Sequence, residues 1–250
     1  MIKNEIKSVF KAKSRIILAV VIVLLIGADA FIAYLDNPNL HPAYAAFLSR
    51  AGIVSIIVTA FVPLYSMYIC ADSYLRDRAN GYCAVIISRA GRKKYLRNKI
   101  ISSFLIPFGL ILTGMALNLF LALLIFNEGY DTSGFNTIVV NFKEAFFTFE
   151  YNHPLVSYIM FMLLGSVALG LGSVICTCVA FVAGRYPVAY LASFVLWNLL
   201  TSGAVSYLYS PFVSYGAFFI IKGAAELALA VVTSYMAAKY CFMKRKARIE

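Results

Sequence analysis

Between Ile16 and Leu35 the chain carries 20 residues interrupted by a single charge, Asp29, and apolar runs of about this length recur to its C-terminal end. Each can cross a hydrocarbon layer about 30 Å thick as one helix. Lipid offers no partner for backbone N–H and C=O groups, so a spanning segment must satisfy them internally. Composition points the same way: 62% of the 250 residues are apolar and 13% charged, more apolar surface than a soluble core of this length buries. The expectation is an all-α polytopic membrane protein in one domain, residues 1–250.

The formal charge is +11. In a soluble protein that would point to nucleic acid. Here Lys and Arg collect at the ends of apolar runs, which the positive-inside distribution accounts for, so no nucleic-acid partner is expected. Cys70, Cys176 and Cys178 lie in apolar segments, Cys83 in a basic loop and Cys241 near the C-terminus. Cys176 and Cys178 are two apart, so on a helix they point about 200° apart and cannot share a metal. All five read as packing residues. The first apolar run is too long for the h-region of a cleaved signal and is expected to stay as an anchor.

Residues 1–15 carry Ile2, Ile6, Val9 and Phe10 at helical spacing among lysines, which predicts a basic interfacial helix. Their charge places the N-terminus in the cytoplasm. Six spans are expected, at about 16–35, 51–74, 100–126, 154–183, 187–203 and 223–243, with both termini inside the cytoplasmic membrane. Pro63 should kink the second span and Pro107 bend the third. Ser166 and Gly170, and Ala168, Gly172 and Cys176, form rows of small residues that let helices approach closely. The acidic, aromatic segment 127–153 suits the outer side. Residues 204–221, broken by Ser210, Pro211 and Gly216, read as a re-entrant pair of short helices, because Lys222 to Lys244 already measures about 33 Å as a helix. Lys222 and Glu226 stand at i, i+4, fit either for a structural pair or for an outer gate.

Catalytic chemistry is missing. Both histidines, His41 and His153, fall in outer loops, and no H-E-x-x-H, G-x-S-x-G or P-loop sequence occurs. Asp29 and Glu226 are the only acids well within spans. The chain is not expected to be an enzyme or to bind a cofactor.

The longest basic interval is 72–99, DSYLRDRANGYCAVIISRAGRKKYLRNK, with eight Lys and Arg residues against Asp72 and Asp77. Its order of residues, Asp77, Gly81, Arg92, Tyr95 and Lys99, resembles the loop after the anchor helix in ABC transporter permeases of the type-two, exporter class. Family members often have Ser before the Arg. Here Gly91 stands there, and Ser88–Arg89 just upstream, so Arg89 and Arg92 both compete for the family position. The plan of interfacial helix, six spans and broken outer segment resembles that class as well.

The resemblance implies a permease that dimerises with an identical or related subunit and binds two cytoplasmic ATP-binding subunits, which carry ATP and Mg. The 72–99 loop would couple the two. Tyr82, Val85 and Ile86 give an apolar ridge at i, i+3, i+4 suited to a groove on such a partner. Arg89, Arg92, Lys93 and Lys94 would steer it or meet anionic lipid headgroups. The resemblance also implies a path at the dimer interface, with Tyr65, Tyr68, Phe194 and Trp197 as lining candidates. That lining suits amphipathic or apolar cargo: a peptide, bacteriocin, lipid or drug. The rival reading is a non-transport immunity or sensor module that binds a ligand directly.

Overall fold

A computed structural model describes residues 7, 11–49, 52–126, 145–212 and 216–244. The interfacial helix expected over 1–15 and most of the 127–153 segment lie outside the described residues.

Every regular element is helical: α1 (Lys13–Asp36), α2 (Pro42–Ala45), α3 (Ile53–Ala60), α4 (Val62–Ser66) running into a π-turn at Met67–Ala71, α5 (Ser73–Ala79), α6 (Tyr82–Ala90), α7 (Arg92–Ile125), α8 (Ala145–Asn152), α9 (Pro154–Ala183), α10 (Tyr186–Thr201), a 3-10 turn (Ala204–Tyr209) and α11 (Ala217–Lys244). Four of them, α1, α7, α9 and α11, are long and apolar enough to cross a membrane, and α3 with α4 makes a fifth if the bent pair is one span. The chain is a multi-pass membrane protein.

The hub is α9. Its most apolar window is 61% buried, against 11% for α11, and α7, α10, α11 and the 3-10 turn pack against it. Small residues are the cause. A Cβ at Gly172 would stand 2.5 Å from Cζ3 of Trp197, and one at Gly170 3.1 Å from the Phe104 ring. Both rows of small residues read from the sequence thus face neighbouring helices.

The kink expected at Pro63 is present as a 51° bend between Ile53–Ala60 and Val62–Ala71. Proline has no N–H, so the carbonyl of Thr59, four residues back, loses its helical donor. The Trp197 indole N–H donates to that carbonyl at 2.9 Å, and the Asn198 amide donates to Ala60 at 3.3 Å. The broken span is therefore clasped by α10, and the same indole is the ring that Gly172 makes room for. α7 runs through Pro107 as one helix. Mid-helix Asn118 of α7 is fully buried and satisfied: its amide donates to the Ile26 carbonyl, and its oxygen accepts from the Phe47 N–H, both at 2.8 Å.

Two boundaries differ from expectation. α7 begins at Arg92, so the last two turns of the basic interval belong to this long helix. α11 begins at Ala217 and not near residue 223, so residues 217–221 are its first turn and not part of a broken segment. The run AFFII that follows Gly216 has nothing to stop a helix, and Lys222 sits exposed on its side. α10 has 16 residues, about 24 Å of helix.

Candidate functional site

The 72–99 interval folds as two short helices and the first turns of a long one. Gly81 (φ 73°) lets the chain reverse between α5 and α6. Gly91, at φ 79° and ψ 150°, joins α6 to α7 in a backbone region that is essentially glycine-only. Serine would be strained there. The sequence departure at residue 91 is a requirement of this turn.

The turn folds α7 back so that residues far apart in sequence meet. The Lys99 ammonium lies 2.8 Å from Oδ2 of Asp77, and the Tyr95 hydroxyl donates to the same oxygen at 2.7 Å. Lys99 is 2% exposed and Asp77 22%. The ammonium also stands 5.4 Å from the centre of the Tyr95 ring. Tyr95 is fully buried, stacked at 6.0 Å on Phe242 of α11 and edge-on to Phe181 of α9. Two short charge-assisted bonds converge on one carboxylate in a dry setting, where such bonds are strongest.

The two arginines differ in their surroundings. Arg92 donates to the Phe242 carbonyl at 3.2 Å and lies over that ring at 5.9 Å. Arg89 is exposed on α6. Further contacts tie this end of the bundle together. Arg78 donates to the Gly184 carbonyl, closing the end of α9 at 3.2 Å. Asp72 lies 3.2 Å from Arg76 and accepts from the Tyr190 hydroxyl of α10 at 3.4 Å. No periodicity pointed to Tyr190 or to Arg78, because each meets its partner only through the packing of α9 and α10.

Between the anchors, α6 buries no residue. Tyr82 and Val85 are 61% and 50% exposed, while Ile86 leans inward on the core of this end. The predicted ridge is therefore split: two residues offered outward, one holding the helix down.

The other candidates are dispersed. Trp197 is fully buried as the clasp of the Pro63 kink, and Tyr65 is also interior. Tyr68 is exposed, and Phe194 is half-buried, its ring 5.7 Å from Phe61. Lys222 and Glu226 approach to 3.9 Å with both side chains largely exposed, a pair worth little. Among the described residues no cluster of His, Cys, Asp or Glu can hold a metal ion.

At the opposite end the 3-10 turn buries Ala204, Val205 and Leu208 against α9 and α11. Phe212 follows at φ 60°, an uncommon backbone for a non-glycine residue. Its N–H donates to the buried carboxyl of Glu150 at 3.4 Å. Burial pushes Glu150 up to about 7, the Phe212 N–H opposing it in part.

Comparison with known proteins adds family but not activity. The protein is 30% identical over 219 residues to "Uncharacterized protein YybM" of Bacillus subtilis (strain 168), covering 86% of this chain and 87% of that one. No solved structure matches. Residues 16–169 match the family described as "Protein of unknown function (DUF2705)", and the chain belongs to that family.

Proposed function

We propose that this chain is the membrane-spanning subunit of an ATP-driven exporter that moves an amphipathic or apolar cargo by alternating access at a permease dimer interface. One observation carries the proposal. The residues matching the exporter-class loop, Asp77, Tyr95 and Lys99, converge on one carboxylate, and the helix they bracket offers Tyr82 and Val85 outward. A helix tied at both ends, whose Tyr82 and Val85 side is left open among the described residues, transmits a push from a partner's groove to α7 and α11.

Six crossings with the 72–99 end in the cytoplasm fit this reading. The contacts of Arg78, Tyr190 and Arg92 bring the end of α9, the start of α10 and the end of α11 to the same side. The 3-10 turn then dips into the outer leaflet under cover of α9 and α11, as non-helical backbone at membrane depth requires. ATP and Mg belong to two copies of a partner subunit. For the path, exposed Tyr68 and half-buried Phe194 are better placed than Trp197.

The test is isolation of the tagged chain from its native membrane in mild detergent. The expected companion is a soluble-type ATPase, whose hydrolysis rises when the complex is reconstituted in liposomes. Recovery of the chain alone, with direct ligand binding that needs no nucleotide, would move the protein to the immunity or sensor class.

A further inference from the structure

Of the eight cations of the 72–99 interval, Arg89 is exposed on α6 and the other seven divide into two sets. Those on the inner face of the loop have partners within the chain. Lys93, Lys94 and Arg97, on the outer face of α7, are exposed and reach no acid among the described residues. They meet a second helix. Lys93 and Arg97 stand at i, i+4 on α7, and Tyr235, Lys239 and Met243 at i, i+4, i+8 on α11. Together with Lys94 and Leu96 they line a cavity of about 390 Å³, within the range of small-ligand sites.

We propose that this cavity binds the phosphate-bearing headgroup of an anionic membrane lipid. Four cations and, among the described residues, no acid line it, so it attracts an anion. Its lining also includes Leu96, Tyr235 and Met243, so the site is amphipathic, as a headgroup with the first carbons of its chains requires. Its level in the bundle fits. α7 has 34 residues, about 51 Å of helix, well beyond a hydrocarbon core of about 30 Å, so its first turns lie at headgroup depth. Lys239 lies five residues before the end of α11, where a lysine reaches the same layer. Above it on α11, Val232 and Leu229 are 57% and 66% exposed, an open apolar surface for acyl chains. That continuity favours a lipid over free phosphate. It also favours a lipid over an acidic protein rim, which would need no apolar extension toward the bilayer centre. The inference is independent of the exporter reading.

The experiment uses the full-length chain with phosphatidylglycerol as probe and phosphatidylcholine as neutral control, with lipid retention read by native mass spectrometry. Lys93→Gln/Arg97→Gln/Lys239→Gln removes three cations of the pocket. Lys11→Gln/Lys13→Gln/Arg89→Gln removes three exposed cations outside it. A cation in direct contact with a seated anionic headgroup is expected to contribute about fivefold, whereas one that only faces the bulk membrane adds little to retention of a single bound lipid, so the pocket variant is expected to lose affinity on the order of a hundredfold. The control variant should stay within about threefold of the parent, and all three should melt at similar temperatures. The single Lys239→Gln, expected to lose about fivefold, replaces the triple variant if that one does not fold. Equal loss in pocket and control variants overturns the site in favour of diffuse surface charge. Displacement of phosphatidylglycerol by inorganic phosphate at comparable concentration makes it a free-phosphate site. Unchanged lipid retention with loss of a co-purifying subunit makes it a protein-docking surface.

Discussion

The two places where the long-helix pattern breaks, α6 with its brackets and the 3-10 turn with Phe212, use opposite logic. α6 buries none of its residues fully: charged anchors hold its ends, and Ile86 leans on the core of this end. The 3-10 turn buries Ala204, Val205 and Leu208 and is held by apolar packing, with one buried acid beside it. The first connection offers a surface and the second fills one. A segment held mainly at its ends can be moved as a unit with little unpacking of a core, whereas a packed plug resists displacement. On the proposed exporter reading, the responsive element lies at the basic end and the seal at the other.

The largest expected effect breaks the anchor of the offered helix. Asp77→Ala takes from the buried Lys99 ammonium the carboxylate at 2.8 Å and leaves it Asp72, with which it makes no ion pair, as an acid acting on it. Removing one member of a buried pair costs about 3–5 kcal/mol, so a drop in melting temperature should exceed that of any change on α6. Asp77→Ala/Lys99→Met should recover most of the loss, since the pair itself contributes little beyond its own desolvation. Thermal unfolding of the three proteins in one detergent measures the coupling. Additive losses would show that the two residues do not act as a pair.

The seal should respond to pH. The Glu150 carboxyl is raised to about 7 in the folded protein, chiefly by burial, and stands near 4.3 in an unfolded chain. A carboxyl raised on folding favours the fold while it stays protonated. Its contribution is complete below about pH 4.3, declines as pH rises and is gone above about pH 7. Melting temperature should therefore fall across that window, and Glu150→Gln should flatten the fall. At pH 8 the variant is expected to be more stable, on the order of 3 kcal/mol at most. Identical pH profiles for the two proteins would place the titration elsewhere.

A smaller effect probes how tightly the plug sits. A Cβ on Gly223 of α11 would overlap the carbonyl of Ala204. That atom is backbone and cannot rotate away, so Gly223→Ala must lift the 3-10 turn, at about 1–3 kcal/mol. Hydrogen exchange should quicken over 204–209 and leave α6 unchanged. Faster exchange at α6 alone would contradict the separation of the two ends.

What the sequence reveals of this arrangement follows from the range of the interactions. Spans 16–35 and 154–183 match α1 and α9 closely, because apolar length is a local signal. The Pro63 kink is local too. Trp197 as its clasp was not legible, since the donor lies 138 residues from the acceptor and only folding joins them. Asn118 was missed for the same reason: a lone amide in an apolar run carries no hint of the Ile26 and Phe47 groups that satisfy it. At the candidate site the spacing from Asp77 to Lys99 was readable, but Gly91 looked like a defect. Its dihedral angles show that the turn bringing Tyr95 and Lys99 to Asp77 depends on it.

The smallest stability effect separates the two ends most clearly. Tyr82→Ala/Val85→Ala removes apolar side chains that lie mostly in solvent, where truncation usually changes stability by less than about 0.5 kcal/mol each. Melting temperature and hydrogen exchange of the isolated chain should hardly move. If α6 is the docking helix of an exporter, the same variant should lose a large part of its partner ATPase on purification, because two side chains at the centre of a groove carry much of the affinity. Ile86→Ala should behave differently: that residue leans on the core of the basic end, so its loss should loosen α6 in the isolated chain as well. A Tyr82/Val85 variant that melts normally and still recovers a full complement of ATPase would leave α6 as a surface helix without a coupling role.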